Sequence, residues 1–218
     1  FMSNIESLFP VWDQLKDEQK RFLEESVIKR DVSKGSVLHR GDEDCDGLYL
    51  VQSGQLRAYI ISDEGKELTL YRLFEMDMCL FSASCMLSNI QFEVIIESEK
   101  DTTLFIIPVL AYQKLMNTNN AVANYTNQLM ASRFTDVMWL MDQVLFKSMD
   151  SRLAAFLIYE SNIEESNELM ITHEKIANHI GTAREVVTRM LKYFQGENMV
   201  KLSRGSILIT DRKKLSLL

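Results

Sequence analysis

Residues 171–194, ITHEKIANHIGTAREVVTRMLKYF, decide how the C-terminal part of the chain folds. Their pattern predicts two short helices joined by a tight turn. Thr172 is suited to cap the first helix, and Gly181 is suited to end it, because a residue without Cβ adopts the left-handed conformation at low cost. Thr182 and Glu185 have the spacing of a capping box, so the second helix is expected to start directly after Thr182.

The second predicted helix has one apolar and one polar face. The residues expected to face inward are Val186, Val187, Met190, Leu191 and Phe194. The residues left facing outward are Arg184, Glu185, Thr188, Arg189 and Lys192. Arginine and glutamate can pair with guanine and cytosine edges in a DNA major groove, so this outer face is typical of a recognition helix. A solvated helical hairpin is the alternative for such a pattern.

A small β-hairpin is predicted after the two helices. Residues 199–210 alternate apolar and polar side chains and turn at Arg204 and Gly205. A helix pair followed by a hairpin is a winged helix–turn–helix. Arg204 at the wing tip is placed to reach a DNA phosphate.

The charge of the chain is unevenly distributed. Residues 172–218 contain nine Lys or Arg against four Asp or Glu, a net charge of +5, whereas the whole chain carries −7, which leaves −12 on the residues before 172. An acidic sensing region joined to a basic module fits a nucleic-acid partner, because only the surface that meets phosphates has to be positive.

The first half of the chain has the pattern of a β-structure. After a short helical lead-in, β-branched and aliphatic runs between turn residues predict strands at 36–40, 47–52, 55–61, 68–73, 92–97 and 103–107. Short strands at this spacing favour a compact antiparallel barrel or jelly roll.

Residues 121–146 contain no Gly or Pro and predict one helix about 39 Å long. A heptad seam along it consists of Met130, Phe134, Val137, Met141 and Val144. A second apolar stripe consists of Val122, Leu129, Leu140 and Leu145. One stripe can cover the chain's own β-structure while the other meets a partner helix. Burial of both stripes within one chain is the alternative.

The composition indicates an ordinary globular protein of two domains, with 46% hydrophobic and 25% charged residues. No apolar run is long enough to span a membrane, and the N-terminus lacks a signal-peptide pattern, so we expect a cytoplasmic protein with no membrane partner. The three cysteines do not fit a disulfide-stapled secreted domain.

These motifs resemble the Crp-Fnr family of bacterial transcription factors. Residues 41–73, GDEDCDGLYLVQSGQLRAYIISDEGKELTLYRL, are similar to the opening strands of that family's cyclic-nucleotide-binding-type β-roll. Residues 171–200, ITHEKIANHIGTAREVVTRMLKYFQGENMV, are similar to its DNA-binding signature. The resemblance implies an α+β fold with an effector-sensing β-roll and N-terminal helix at 1–120, a dimerisation helix at 121–146 and a winged helix–turn–helix at 147–218.

The resemblance also implies how the protein meets DNA. A homodimer would bind a pseudo-palindromic site, with one recognition helix per half-site. The residues at positions that contact bases are Arg184, Glu185 and Arg189, and Thr188 is a further candidate. Thr172, Thr182 and Arg204 match positions that meet the DNA backbone, and Lys192 on the outer face of the second helix is a further candidate for such a contact. RNA polymerase is a further candidate partner.

Cyclic AMP and an iron–sulfur cluster are not expected as effectors. Leu80 and Phe81 occupy the positions of the Gly-Glu pair that holds the ribose in cyclic-AMP-binding relatives, and no arginine lies between Arg72 and Arg133 to neutralise a buried phosphate. The cluster of cysteines near the N-terminus that ligates iron and sulfur in one branch of the family is also missing, and three cysteines cannot supply four ligands.

An effector pocket or redox site is predicted around residues 76–87. Its members are Cys79, Leu80, Phe81, Cys85 and Leu87. Cys79 and Cys85 could form a redox switch if the loop brings their Cα atoms within about 7 Å. A haem or a small apolar ligand is a second interpretation, with a Cys, a Met or His39 as axial group. Buried structural cysteines are the third.

Two other classes of function compete with this assignment. A metal- or thiol-dependent β-roll enzyme would need clustered histidines or a flanking nucleophile motif, and the sequence offers neither, so we expect no enzymatic activity and no metal site. A protein-interaction sensor whose terminal module does not bind DNA is the other class, and base-specific binding would exclude it.

Overall fold

The computed structural model describes residues 5–41, 46–80, 82 and 93–218 of the 218-residue chain. These residues divide into two units. The first contains residues up to 60 and residues 70–138, and the second contains residues 61–69 and 139–218.

Short strands form the β-roll. Their bounds are β1 Ile28–Val32, β2 Val37–Arg40, β3 Leu48–Ser53, β4 Leu56–Ile61, β5 Glu67–Leu73, β6 Met78–Cys79, β7 Ile95–Ser98 and β8 Thr102–Ile107. Their residues belong to the first unit except for residue 61 in β4 and residues 67–69 in β5. They make two four-stranded sheets, with strand orders β1-β8-β3-β6 and β2-β7-β4-β5. The pairs β1–β8, β3–β8, β2–β7 and β4–β7 are antiparallel. The predicted jelly-roll type of fold is therefore confirmed.

The predicted strands are found with small shifts at their ends, and two strands of the roll were not predicted. The strand expected at 92–97 is observed as β7, and residue 92 lies outside the described residues. β1 has the sequence IKRDV and four of its five residues are exposed, so it has no apolar alternation that could reveal it. It forms because its backbone pairs with β8 at the edge of a sheet. β6 has only two residues, which is too short for any periodicity.

Helices flank the roll. A 3₁₀ turn at Trp12–Gln14 and α1, Asp17–Ser26, precede it, and α2, Val109–Thr118, follows it. Pro108 is the N-cap of α2. Apolar side chains from these segments, from β3 and β8 and from the start of the next helix share one buried cluster.

The next helix, α3, runs without interruption over Asn120–Phe146, as the sequence predicted. Val122 is fully buried and Leu129 packs against the first core cluster. Four members of the predicted heptad seam are exposed, namely Met130, Phe134, Met141 and Val144. Leu145, the last member of the second stripe, is 64% exposed, because α3 extends past the apolar side chains that shield its first turns.

The second unit contains the helix pair and the hairpin. Its elements are α4 Met149–Ile163, β9 Glu168–Leu169, α5 His173–Ile180, α6 Arg184–Gly196, β10 Val200–Ser203, β11 Ser206–Ile209 and α7 Arg212–Leu215. β10, β11 and β9 form a three-stranded sheet, so the predicted hairpin gains a third strand. One buried cluster joins α4, α5, α6 and this sheet. Within the described residues, no helix has the length and apolar character that crossing a bilayer requires.

Candidate nucleic-acid interface

α5 begins and ends where the sequence predicted. The Thr172 hydroxyl accepts a hydrogen bond from the backbone N–H of Lys175 at 3.1 Å, which makes it a true N-cap. Gly181 ends the helix in the left-handed region, with φ of 69°, and its N–H donates to the carbonyl of Ala177. These two residues fix the length of α5 and the direction in which the chain enters the turn.

The predicted capping box at the second helix is wrong. α6 begins at Arg184, its N-cap is Ala183, and no side chain caps it. The turn after Gly181 uses both Thr182 and Ala183, because Ala183 has an extended backbone with φ of −83° and ψ of 144°. Glu185 is therefore the second residue of the helix and cannot take the third position that a capping box requires.

α6 has the two faces that its sequence predicts. On the inner face, Val187, Leu191 and Phe194 are buried, and Met190 packs against the same cluster. On the outer face, Arg184, Glu185, Arg189 and Lys192 are exposed, and Thr188 is partly buried. The predicted base-contacting residues therefore lie side by side on one surface.

This outer face lines an open concavity of about 470 Å³, bounded by Arg184, Glu185, Thr188, Arg189 and Lys192. Among the ion pairs of the described residues, none involves Arg184, Arg189 or Lys192. Arginine has five N–H donors in a rigid fork, and here those of Arg184 and Arg189 face solvent. The surface can therefore bind external acceptors such as guanine edges or phosphates.

The wing forms a second wall. A concavity of about 420 Å³ lies between the start of α5, the start of α6 and the β10–β11 turn, and its lining includes Thr172, Arg184 and Gly205. Gly205 has φ of 79°, as a tight hairpin turn needs, and the preceding Arg204 is exposed. The start of α5 and the wing therefore border the outer face of α6.

Sequence reasoning missed His173. Its Nδ1 lies 2.9 Å from the Thr188 hydroxyl oxygen, which ties the first residue of α5 to the outer face of α6. Burial, and secondarily the charge of Arg184, lower the pKa of His173 below its usual value. A histidine beside a helix cap carries no sequence signal for this role, because its partner lies 15 residues away.

The predicted effector region is only partly described. Cys79 is fully buried on β6 and Leu80 is buried next to it, whereas Phe81, Cys85 and Leu87 lie outside the described residues. The Tyr71 hydroxyl lies 4.0 Å from the Cys79 sulfur, and burial raises the pKa of Tyr71 well above its usual value. The redox pair and the effector pocket stay predictions, as does an axial role for His39, which is buried on β2.

The buried arginines of the roll have carboxylate partners. Arg72 Nε lies 2.8 Å from Glu99 Oε2, with both side chains 2% exposed, and Gln55 donates to the same oxygen at 2.7 Å. Arg57 lies 3.9 Å from Glu97. These cations are neutralised by the chain itself.

A β-roll, a long helix and a winged helix–turn–helix with a cationic outer face define the class of helix–turn–helix transcription regulators. Comparison with known families agrees with this class. Residues 29–119 match the cyclic nucleotide-binding domain, and residues 151–218 match the Crp-like helix-turn-helix domain.

Individual relatives support the same assignment. The crystal structure of a protein from Eubacterium rectale, assigned to the Crp/Fnr family of transcriptional regulators, is 58% identical, with a TM-score of 0.94 over 97% of this chain and 98% of that one. The fumarate and nitrate reduction regulatory protein of Yersinia pestis is 24% identical over 86% of this chain and 77% of its own length. The c-di-GMP responsive regulator CLP of Xanthomonas campestris shares the fold, with a TM-score of 0.74 at 17% identity over 89% of this chain and 99% of that one.

The chain belongs to the Crp/Fnr family and is a DNA-binding transcription regulator. The resemblance predicted from the sequence is confirmed.

Proposed function

We propose that this regulator binds DNA as a homodimer, with α6 of each protomer in the major groove of one half of a pseudo-palindromic site. The observation that carries the proposal is the outer face of α6. Its cations are exposed, stand in one row beside an open concavity, and have no ion-pair partner among the described carboxylates.

Within this arrangement, each exposed residue has a task set by its chemistry. Arg184 and Arg189 donate to guanine, Glu185 accepts from cytosine, and Thr188 faces a neighbouring base. Thr172, Thr182, Lys192 and Arg204 meet backbone phosphates. The first group sets the sequence preference, and the second sets register and affinity.

The test is selection of bound sequences from a random DNA duplex library, with wild type compared to three variants. Arg189→Lys keeps the charge but loses the two-pronged donor, so we expect a relaxed preference at one position per half-site, equivalent to about 1–3 kcal/mol. Arg189→Ala should relax the same position. Lys192→Ala should weaken binding evenly across sequences and reduce the salt dependence of affinity.

Two results would contradict this assignment. Unchanged site preference in both Arg189 variants would remove Arg189 from base recognition. A wild-type protein that enriches no sequence, reduced or oxidised, would count against sequence-specific binding itself.

The second copy is proposed to pack along α3. Met130, Phe134, Met141 and Val144 recur at spacings of four, seven and three on this helix, and each is at least 43% exposed. Phe134 alone exposes 67% of its surface. A row of large apolar side chains with this period fits another α-helix of the same kind. In this arrangement residues 1–120 sense the signal, 121–146 dimerise and 147–218 bind DNA.

The signal is proposed to act on the β-roll and not to be a cyclic nucleotide. In the described residues, both buried arginines of the roll are paired with Glu97 or Glu99, so neither offers its charge to a phosphate without first losing that partner. A redox change at Cys79 and Cys85, a haem and a small apolar ligand remain the alternatives predicted by the sequence. Selections on reduced and oxidised protein, with an absorption spectrum of the purified protein, separate them.

A further inference from the structure

His173 and Thr188 form a hydrogen-bonded link that the proposed base contacts do not explain. Nδ1 of His173, the first residue of α5, lies 2.9 Å from Oγ1 of Thr188 in the second turn of α6. The same Oγ1 lies 3.0 Å from the carbonyl oxygen of Arg184, one turn earlier in α6. The Thr188 hydroxyl is therefore held from two sides by the protein.

This link uses the only proton of the Thr188 hydroxyl. A threonine hydroxyl has one proton, and a carbonyl oxygen can only accept. If the proton goes to the Arg184 carbonyl, His173 must donate from Nδ1 to Thr188. If the proton is instead donated to Nδ1 of His173, it is again unavailable to a DNA base. In both arrangements the hydroxyl has no proton left for a base.

The remaining parts of the side chain decide which base it can meet. Guanine presents only acceptors in the major groove, and so does the O4 edge of thymine, so neither can bond to a hydroxyl whose proton is already used. Thymine also carries a 5-methyl group, which makes apolar contacts with a threonine methyl. With Oγ1 held by Arg184 and His173, two groups of Thr188 are left for DNA: one oxygen lone pair, which can only accept from adenine or cytosine, and the methyl group, which suits thymine.

We infer that His173 is a positioning residue that holds the Thr188 hydroxyl inside the protein, so that Thr188 recognises the 5-methyl group of one thymine in each half-site through its own methyl. This inference rests on the proposed function, because it assigns the chemistry of one position on the outer face of α6. It gives Thr188 a recognition role that differs from the hydrogen bonds expected of its arginine and glutamate neighbours.

The electrostatics at His173 agree with a positioning role. The charged residues beside it are Glu174 on its own helix and Arg184 on α6, and both line the same concavity. Its pKa is lowered by burial and by Arg184, so the ring is neutral near pH 7. A neutral ring acts on Thr188 through its hydrogen bond and adds no charge for a phosphate.

The experiment measures affinity for the selected duplex after each thymine is replaced singly by deoxyuridine, which removes only the 5-methyl group. For wild type, one replacement per half-site should weaken binding about three- to fivefold, the effect of one buried methyl group. This uracil penalty should persist in Thr188→Val, which keeps a methyl group and loses the hydroxyl. It should vanish at that position in Thr188→Ser, which keeps the hydroxyl and loses the methyl.

The role of His173 is tested on the same duplexes. As a single substitution, His173→Ala should reduce the uracil penalty. Combined with Thr188→Val it should not, because no hydroxyl then has to be held. His173→Asn, whose amide can donate from nearly the same place, should restore the penalty. A residue that only stabilised the fold would weaken all duplexes alike and leave the penalty unchanged.

A matched control comes from Thr118 on α2. Its hydroxyl donates to the Lys114 carbonyl at 2.7 Å and accepts from Gln19 at 3.2 Å, the same pattern as in Thr188. Thr118→Ser lies in the first unit and should leave every uracil penalty as in wild type.

The outcomes separate this inference from the function on which it rests. A selected site whose affinity is indifferent to uracil at every position would overturn the inference and leave the proposed function intact. So would a loss of affinity when an adenine loses its amino group instead, because Thr188 would then act through its oxygen. Failure of the wild-type protein to prefer any duplex would instead count against the proposed function.

Discussion

Gly181 is the single residue on which the geometry of the helix pair depends most. Its φ of 69° places it in the left-handed region, and a Cβ built on it would lie 3.0 Å from the Leu68 side chain, which belongs to the same unit. Leu68 and Ile180 also form an isolated β-bridge. The turn between α5 and α6 is therefore restricted by both the backbone and a packed neighbour.

Gly181→Ala should destabilise the helix pair by about 1–2 kcal/mol, the cost of a left-handed alanine, plus a smaller packing cost. Gly205→Ala is the matched control, because it carries the same left-handed strain, with φ of 79°, at the β10–β11 turn, where a Cβ meets nothing within 4 Å apart from Gly205 itself and its chain neighbours. Hydrogen exchange of peptides from α5 and α6 measures the effect. Faster exchange there in Gly181→Ala but not in Gly205→Ala is expected, and equal protection of α5 and α6 in Gly181→Ala and wild type would contradict it.

How far single residues can be predicted depends on where their partners lie. Thr172 was predicted as a cap because its partner is the N–H three residues on. The outer face of α6 followed from helical periodicity. Thr182 is not the cap of α6, because the turn extends one residue further and Ala183 takes the N-cap position. His173 was missed because its bond to Thr188 exists only once the two helices have packed.

Among the elements, length and pattern determine what the sequence reveals. α3 was predicted almost to the residue, since 27 residues without a helix breaker leave few alternatives. β1 and β9 were not predicted. β1 is a polar edge strand that forms by pairing with β8, and β9 has only two residues and forms by pairing with β11. The signal site stays a prediction, because its candidate residues are apolar and sulfur-containing side chains that also suit an ordinary core.

The exposed stripe of α3 leads to a prediction about assembly. Phe134→Glu should raise the dissociation constant of the proposed homodimer about a hundredfold or more, because the carboxylate would be buried against an apolar helix without a cationic partner. Sedimentation over a range of concentrations measures it. Leu110→Glu on α2 is the control, since Leu110 is 79% exposed and lies off α3. A Phe134→Glu protein that dimerises like wild type would place the interface elsewhere.

Across the whole molecule, the uneven charge follows the division between the winged helix–turn–helix and the rest of the chain. The chain carries −7 in total, yet its last 47 residues are positive and contain the winged helix–turn–helix. The acidic remainder repels DNA, so we expect an approaching duplex to be directed to the proposed contact surface on α6 and the wing. Affinity should therefore depend on the geometry with which two such modules are presented together as much as on their individual contacts.

That dependence can be measured by changing the distance between half-sites. In a homodimer of this class, the two recognition helices should lie about 34–36 Å apart, one turn of DNA. Inserting about five base pairs at the centre of the selected site turns the half-sites to opposite faces of the duplex, and inserting about ten restores the face but doubles the separation. Both insertions should reduce affinity to that of a single half-site, about a hundredfold or more, because the second protomer loses its effective concentration. A shuffled insertion outside the site serves as the control. Equal affinity for the original and the lengthened sites would mean that the two protomers bind independently and that α3 does not fix the spacing of the two α6 helices.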